Sequence, residues 1–206
     1  MWQDIEKRLK LYQPSSPLFP SSLQEAAVLI PIIKKEQPEL LLTLRSDRLT
    51  SHRGEVAFPG GKRDPEDTSL LHTALRESQE EIALLPDNVE IIGSLPTLIS
   101  KNLLKVKPYV GFVDDSLSYE ANLDEIALIF TVPLSYFRED PRIVTHRIDY
   151  LNIEWYIPCY QYHQFKIWGL TAIMIAELVN IVFDTNISFH EKPADSLLID
   201  YTQLKK

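Results

Sequence analysis

Cysteine is almost absent from this sequence, as are the features that mark extracellular and membrane proteins. Cys159 is the one cysteine, so no intramolecular disulfide can form and a reducing compartment is expected. No segment reaches the roughly 18 consecutive apolar residues that a transmembrane helix needs. Residues 1–10 lack the apolar stretch of a signal peptide. These absences predict a cytoplasmic protein with no membrane partner.

Positive charge is also scarce. The chain has 21 lysine and arginine residues against 29 aspartate and glutamate residues, a net charge of −8, and a pI near 5.1. Proteins that bind nucleic acid need a basic face to neutralise the phosphate backbone, so a nucleic-acid partner is not expected. A small anionic substrate stays compatible with this charge, because a bound divalent metal reverses the local field.

Length and composition indicate one ordinary globular core. The chain has 206 residues, of which 45% are hydrophobic and 24% charged, without an internal repeat or a long linker. Trp2, Ile5 and Leu9 recur at helical spacing, and three prolines and four serines follow in residues 14–22. We therefore expect an N-terminal helix and a Pro/Ser-rich leader over residues 1–25, and a single domain over residues 26–206.

Strands and helices alternate along that domain. Residues 26–33 and 39–44 are apolar runs joined by a polar turn, which predicts a β-hairpin. Further strands are predicted at 89–95, 106–113 and 143–157, and a helix that is apolar nearly all round is predicted at 167–182. This pattern indicates an α/β fold, with a mixed β-sheet packed between helices.

A cluster of carboxylates marks the helix predicted around residues 76–81, RESQEE. Glu77, Glu80 and Glu81 are spaced i, i+3 and i+4, so they lie on one helix face and repel each other. The other face is apolar, through Leu71, Ala74, Leu75, Ser78 and Ile82, and the N-cap is Asp67, Thr68 or Ser69. One interpretation of the acidic face is simple solvation.

The residues before this helix favour a metal site instead. Residues 58–61, FPGG, are predicted to form a turn whose glycines allow the backbone to approach a ligand closely. A carbonyl of Gly60 or Gly61 can then complete an oxygen shell with Glu77, Glu80 and Glu81. Mg²⁺ and Mn²⁺ prefer such oxygen ligands, together with water and substrate phosphates.

Several cations precede the glycines. Arg45, Arg48, His52 and Arg53 lie between the second strand and Gly60. Arginine forks bind phosphate oxygens, and histidine can donate to them as well, so Arg45, Arg53 and His52 are candidate substrate-binding residues. The alternative is a solvated loop with surface ion pairs.

These residues resemble the Nudix box, whose pattern is G, five residues, E, seven residues and REUXEEXGU, where U is aliphatic. Gly61, Arg76, Glu77, Glu80 and Glu81 match it. Four features depart from the pattern: Asp67 replaces the early glutamate, eight residues separate it from Arg76, and Ser78 and Ala83 replace the aliphatic residue and the second glycine.

A second motif resembles the coenzyme A pyrophosphatase branch of that superfamily. Residues 41–61 are similar to LLTXRSXXXRXXXGXXXFPGG, with Thr50 in place of the middle arginine. Residues 122–137 and 167–172 also look like that branch. Residues 97–108 depart from it, since they lack the Ser-Gly turn common there.

The resemblance implies a Nudix-type α/β/α sandwich and metal-dependent hydrolysis of coenzyme A or acyl-CoA to 3′,5′-ADP and 4′-phosphopantetheine or its acyl form. Glu77 and Glu81 would hold Mg²⁺ or Mn²⁺, and Glu80 would share a metal or orient water. Arg76 would orient a carboxylate. Glu125, in residues 122–137, would bind metal or act as general base, or is a surface glutamate. Assembly as a homodimer is a further possibility.

Two other functions compete with this one. The first is a Nudix enzyme that acts on another nucleoside diphosphate derivative, such as a dinucleotide or a nucleotide sugar. The second is a diphosphate-binding regulatory domain without turnover. Residue chemistry alone supports only a diphosphate and a divalent metal.

Overall fold

The chain forms two compact units, Met1–Leu134 and Ser135–Lys206. The computed structural model describes residues 1–15, 19–49, 53–150, 153–194 and 196–200. The first unit includes the N-terminal helix and all the residues of the proposed metal site. A single domain over residues 26–206 stays a prediction.

In its described residues the first unit contains two α-helices and eight strands, besides a short 3₁₀ turn at Pro86–Asn88. These elements are α1 (Trp2–Leu11), β1 (Glu25–Ile33), β2 (Glu39–Arg45), β3 (Val56–Ala57), β4 (Gly60–Lys62), α2 (Leu70–Ile82), β5 (Glu90–Ser94), β6 (Leu98–Ile99), β7 (Lys105–Val113) and β8 (Ile126–Pro133). The predicted α1, β1, β2, β5 and β7 are confirmed.

The strands form one mixed sheet in the order β3-β2-β1-β7-β5, with β4 paired to β1, β6 to β7 and β8 to β2. β1 is antiparallel to β2, as the hairpin prediction requires. It is parallel to β7 over its whole length, from Glu25 opposite Lys105 to Ile33 opposite Val113. The central strand therefore has both kinds of neighbour, which confirms a mixed sheet.

The two helices of this unit cover opposite faces of the sheet. Phe112 and Val113 are adjacent in β7, so their side chains point to opposite faces. Phe112 meets Trp2 of α1, with ring centroids 6.3 Å apart. Val113 belongs to the buried cluster that contains Ala74 and Ile82 of α2. The predicted α/β/α sandwich is confirmed in the first unit.

The structure corrects the turn that was predicted at residues 58–61. Gly60 and Gly61 belong to strand β4 and pair with Val28 and Ala27 of β1. Gly60 has φ of +152°, and a Cβ there would lie 2.4 Å from the Ala27 carbonyl oxygen. Gly60 thus allows β4 to lie directly against β1, where a side chain at this position would collide with the β1 backbone.

Helix α2 has a side-chain cap at its start and an unusual residue at its end. The Ser69 hydroxyl accepts a hydrogen bond from the His72 amide at 3.1 Å, so Ser69 is the N-cap among the three candidates. Ala83 ends the helix in the left-handed region, with φ of 57°. The Nudix box has glycine at this position, where no Cβ strain arises.

The second unit has its own sheet and helix. Its described elements are β9 (Arg142–Tyr150), β10 (Ile153–Tyr162), β11 (Phe165–Ile167), α3 (Gly169–Phe183) and β12 (Leu197–Asp200), with sheet order β11-β10-β9-β12. The predicted strand material and late helix are confirmed, and α3 packs on β10. Within the described ranges, no helix combines the length and apolarity that membrane crossing requires.

The strained end of α2 gives a stability prediction. Replacing Ala83 with glycine removes the cost of a Cβ in the left-handed region, and we expect the free energy of unfolding to rise by about 1 kcal/mol. Urea denaturation measures the change. The same substitution at Ala74, inside α2 and fully buried, should instead lower stability by at least about 1 kcal/mol. A loss at Ala83 as large as that at Ala74 would contradict the strain argument.

Candidate active site

A buried pair between Asp67 and Arg76 lies at the base of the carboxylate cluster. The guanidinium donates to both oxygens of Asp67, from Nε at 3.0 Å and from Nη2 at 3.0 Å. Asp67 also accepts from the Thr73 hydroxyl at 2.8 Å and the Asp64 amide at 2.9 Å. These bonds, led by that from Arg76, hold the pKa of Asp67 well below its usual range. Asp67 is therefore an ionised anchor for Arg76.

Arg76 in turn holds two of the predicted metal ligands. Its Nη2 donates to Glu77 Oε1 at 3.0 Å, and its Nη1 donates to Glu80 Oε2 at 3.0 Å. Nη2 also donates to the Lys62 carbonyl of β4 at 3.2 Å. One guanidinium therefore links α2, β4 and the loop before α2.

The two glycines of β4 lie directly against the acidic side chains of α2. A Cβ at Gly61 would lie 2.3 Å from Glu77 Cδ, so the Glu77 carboxylate fills the space that any other residue would occupy. The Gly60 amide donates to Glu81 Oε2 at 3.1 Å. The FPGG segment thus sets the positions of Glu77 and Glu81.

Glu81 is buried, so the interpretation of the acidic face as simply solvated does not hold for this residue. Its side chain is 2% exposed, and Arg45 Nη1 donates to its Oε1 at 3.0 Å. Burial raises the pKa of Glu81 to about 7, the nearby charges of Glu77 and Glu125 act in the same direction, and the Gly60 amide and Arg45 oppose them. Burial also raises the pKa of Glu77. Glu80 faces solvent, with a side chain 54% exposed.

Glu125 joins this cluster although it lies far away in the sequence. The Asn122 amide donates to the Glu81 carbonyl at 2.9 Å, at the end of α2. The Ser46 amide donates to the Glu125 carbonyl at 2.7 Å, next to Arg45. Residues 122–125 are therefore fastened beside α2 and β2, and the Glu125 charge acts on both Glu77 and Glu81.

The donor set fits a divalent cation by its chemistry. In the part of the chain that the structure describes, no group of three histidine, cysteine, aspartate or glutamate side chains is close enough to hold a metal. In this arrangement Arg45 binds an oxygen of Glu81, and Arg76 binds oxygens of Glu77 and Glu80. Carboxylate oxygens are the hard ligands that Mg²⁺ and Mn²⁺ take, and Gly61, which has no side chain, leaves space for the Glu77 carboxylate.

The predicted substrate-binding residues do not all reach this cluster. Arg45 does, through Glu81. The Arg53 side chain is exposed, and its Nε donates to the Leu49 carbonyl in its own loop. Arg48 pairs with Asp124 at 3.4 Å on the surface. His52 lies outside the described residues, so its role stays a prediction.

Two features of the site were missed by sequence reasoning. The anchoring of Arg76 by Asp67 was not foreseen, although an acidic residue near the Nudix position was a usable signal. The pair between Arg45 and Glu81 carried no local signal, because 36 residues separate its partners.

The raised pKa of Glu81 predicts how stability changes with pH when metal is withheld. The folded state keeps the Glu81 proton up to about pH 7, whereas the usual carboxyl value is 4.5. The stabilisation is complete below about pH 4.5 and is lost as pH rises through 7. In EDTA, Glu81→Gln should therefore gain up to about 3 kcal/mol on wild type between pH 4.5 and pH 8.

Urea denaturation at the two pH values measures this change. Glu80→Gln alters an exposed carboxylate of the same helix and should follow wild type across the range. Equal pH dependence of wild type and Glu81→Gln would show that Glu81 ionises normally in the folded protein.

Comparison with known proteins agrees with this geometry. The NUDIX domain model matches residues 23–151. A relative named "Uncharacterized Nudix hydrolase NudL" from Yersinia enterocolitica is 44% identical over 184 residues, which cover 85% of this chain and 90% of the relative. Its namesake from Citrobacter koseri is 42% identical over 181 residues, which cover 85% and 91%.

A solved structure shares the fold. The MutT/nudix family protein from Enterococcus faecalis superposes with a TM-score of 0.55 at 15% identity, covering 82% of this chain and 65% of that protein. At this identity the likeness concerns the fold alone. The sequence relatives are much closer, and with the family match they identify the chain as a member of the NUDIX domain family and an enzyme, a Nudix pyrophosphohydrolase.

Proposed function

We propose that this enzyme hydrolyses the pyrophosphate bond of coenzyme A or acyl-CoA, with Mg²⁺ or Mn²⁺, to 3′,5′-ADP and 4′-phosphopantetheine or its acyl form. Residues 41–61 resemble the coenzyme A pyrophosphatase motif, and the observation that carries the proposal is the position of three of them, Arg45, Gly60 and Gly61. Arg45 and Gly60 of this segment contact Glu81, and Gly61 lies against Glu77. Residues of the motif that suggests the substrate are thus in direct contact with the proposed metal ligands.

The metal ligands we propose are Glu77 and Glu81, with Glu80 and the Gly61 carbonyl as further oxygen donors. Glu77 and Glu81 are one helical turn apart and have the least exposed side chains of the three glutamates. When bound, a divalent cation neutralises charge on the diphosphate and activates the attacking water. Glu80 is exposed, and within the described residues its carboxylate is held by Arg76, so it can turn toward a shared metal or a water.

Glu125 is proposed as the general base. Its carboxylate would accept the proton of the attacking water as the new P–O bond forms and the anhydride P–O bond breaks. The bonds that fasten residues 122–125 to α2 and Ser46 would keep it in place. The action of its charge on Glu77 and Glu81 supports this role over that of a surface glutamate.

The arginines would have separate roles. Arg76 would act as a positioning residue, because Asp67 fixes it and it fixes Glu77. Arg45 would bind a diphosphate oxygen, since its guanidinium already lies at the edge of the cluster. Contacts from Arg53 and His52 to the substrate, a cytoplasmic location and assembly as a homodimer stay predictions.

The central experiment is incubation of the purified protein with coenzyme A and Mg²⁺ or Mn²⁺, with products separated by chromatography. We expect metal-dependent formation of 3′,5′-ADP and 4′-phosphopantetheine, which EDTA abolishes. Glu81→Gln should lower kcat by a factor on the order of 100, because a ligand that positions the charge-neutralising cation is lost.

NADH and ADP-ribose are the comparison substrates. Faster turnover of either than of coenzyme A would keep the Nudix chemistry and reject the proposed substrate. Full activity of Glu81→Gln would reject Glu81 as a metal ligand.

The space at Gly61 gives a second test, which does not depend on turnover. In Gly61→Ala the new methyl group takes the place of the Glu77 carboxylate, so we expect Mn²⁺ affinity to fall by about 10-fold or more. Titration calorimetry measures the affinity. Gly111→Ala, in β7 of the same sheet, is the matched control, since its Cβ would meet the Val89 side chain. Wild-type affinity in Gly61→Ala would mean that Glu77 is not a ligand.

A further inference from the structure

A basic groove lies beside the catalytic cluster, at the ends of β1, β4 and β7. It has a volume of about 420 Å³ and is lined by Lys62, Arg63, Lys105 and Glu25 together with neighbours in residues 21–24. Three cations face one carboxylate there, although the whole chain carries a net charge of −8. The groove is therefore a local positive site on an acidic protein.

Glu25 holds two of the cations side by side. Its Oε1 accepts from Lys105 Nζ at 3.0 Å, and its Oε2 accepts from Arg63 Nη1 at 3.0 Å. These bonds, led by that from Lys105, lower the pKa of Glu25. Strand pairing fixes the same residues, because the Arg63 amide donates to the Glu25 carbonyl and the Lys105 amide donates to the Gln24 carbonyl, both at 2.9 Å. The cations are thus pre-arranged, and two positive charges remain after Glu25 is counted.

The groove is joined directly to the catalytic residues. Arg76 Nη2 donates both to the Lys62 carbonyl at 3.2 Å and to Glu77 Oε1 at 3.0 Å. Two hydrogen bonds through one nitrogen therefore connect Lys62 of the groove with Glu77. Arg63 Nη2 donates to the Asp67 carbonyl at 3.2 Å. Arg63 directly follows β4, and because extended chain rises about 3.3 Å per residue, Gly61 and Arg63 lie roughly 7 Å apart. A substrate whose diphosphate lies at Glu77 can place a neighbouring anionic group in the groove.

We propose that the basic groove binds a phosphomonoester on the nucleoside half of the substrate, with Lys62 and Lys105 as its specificity-determining residues. The inference rests on the proposed function. A nucleoside 3′-phosphate 5′-diphosphate carries both groups on one sugar, which suits a groove next to the catalytic cluster. NADH and ADP-ribose have no phosphomonoester, so the groove separates coenzyme A from them by charge.

The test compares coenzyme A with dephospho-coenzyme A, which lacks only the phosphomonoester. Wild type should show a higher kcat/KM for coenzyme A, and the ratio of the two kcat/KM values should fall about 10-fold in Lys62→Gln and in Lys105→Gln, since each loses a charge-assisted hydrogen bond. The effect should lie in KM rather than kcat, because the group is remote from the reacting bond. Lys7→Gln, an equal charge change on the exposed side of α1, should leave the ratio as in wild type.

A binding measurement separates this inference from the proposed function. By calorimetry in EDTA, 3′,5′-ADP should bind wild type more tightly than 5′-AMP, and Lys62→Gln should lose that preference. Turnover of coenzyme A with an unchanged ratio in both variants would overturn the groove and leave the function standing. No turnover of coenzyme A would overturn the proposed function. The calorimetry would then decide on the groove alone: a preference for 3′,5′-ADP that is lost in Lys62→Gln would support phosphomonoester binding there, and any other result would overturn it.

Discussion

The rest of the site depends on the two-pronged contact between Arg76 and the buried Asp67 carboxylate. A guanidinium held at two points has a fixed plane, and its remaining donors reach Glu77, Glu80 and the Lys62 carbonyl. Without Arg76, Asp67 would be a buried charge with no counter-charge, which is among the more costly changes a fold can suffer. Asp67, which stands where the Nudix box has glutamate, therefore supplies the contact that fixes Arg76.

Charge balance explains how so many carboxylates coexist in a partly buried space. Glu77, Glu81 and Glu125 repel one another, and without a metal Arg45 and Arg76 offset that repulsion. The same oxygens are the metal ligands of the proposed function. A bound metal would therefore compete with the arginines for these carboxylate oxygens, and Arg45 would become available to an incoming diphosphate.

The local sequence pattern predicted most helices and strands. The features that it did not predict depend on pairs of residues far apart in the sequence. The apolar periodicity of α1, the long apolar run of α3 and the capping of α2 by Ser69 are local signals, so the sequence reveals them. Strands of two or three residues such as β3, β4 and β6 carry too few side chains for a period to emerge. The burial of Glu81 was hidden because an acidic residue indicates solvent unless its distant partner, Arg45, is known. The groove was missed for the same reason, since Glu25 and Lys105 are 80 residues apart.

The parallel pairing of β1 with β7 also bears on the order in which the enzyme can assemble. Its ladder joins residues 25–33 to residues 105–113, so a loop that contains the whole of α2 must close before the central strand has both neighbours. Closing such a loop is slow compared with forming a hairpin. During synthesis, α2 would emerge from the ribosome after β1 to β4 but before β7, which completes the pairing of the central strand. The nascent chain would then expose an acidic, half-apolar helix, which is a segment that a chaperone can recognise.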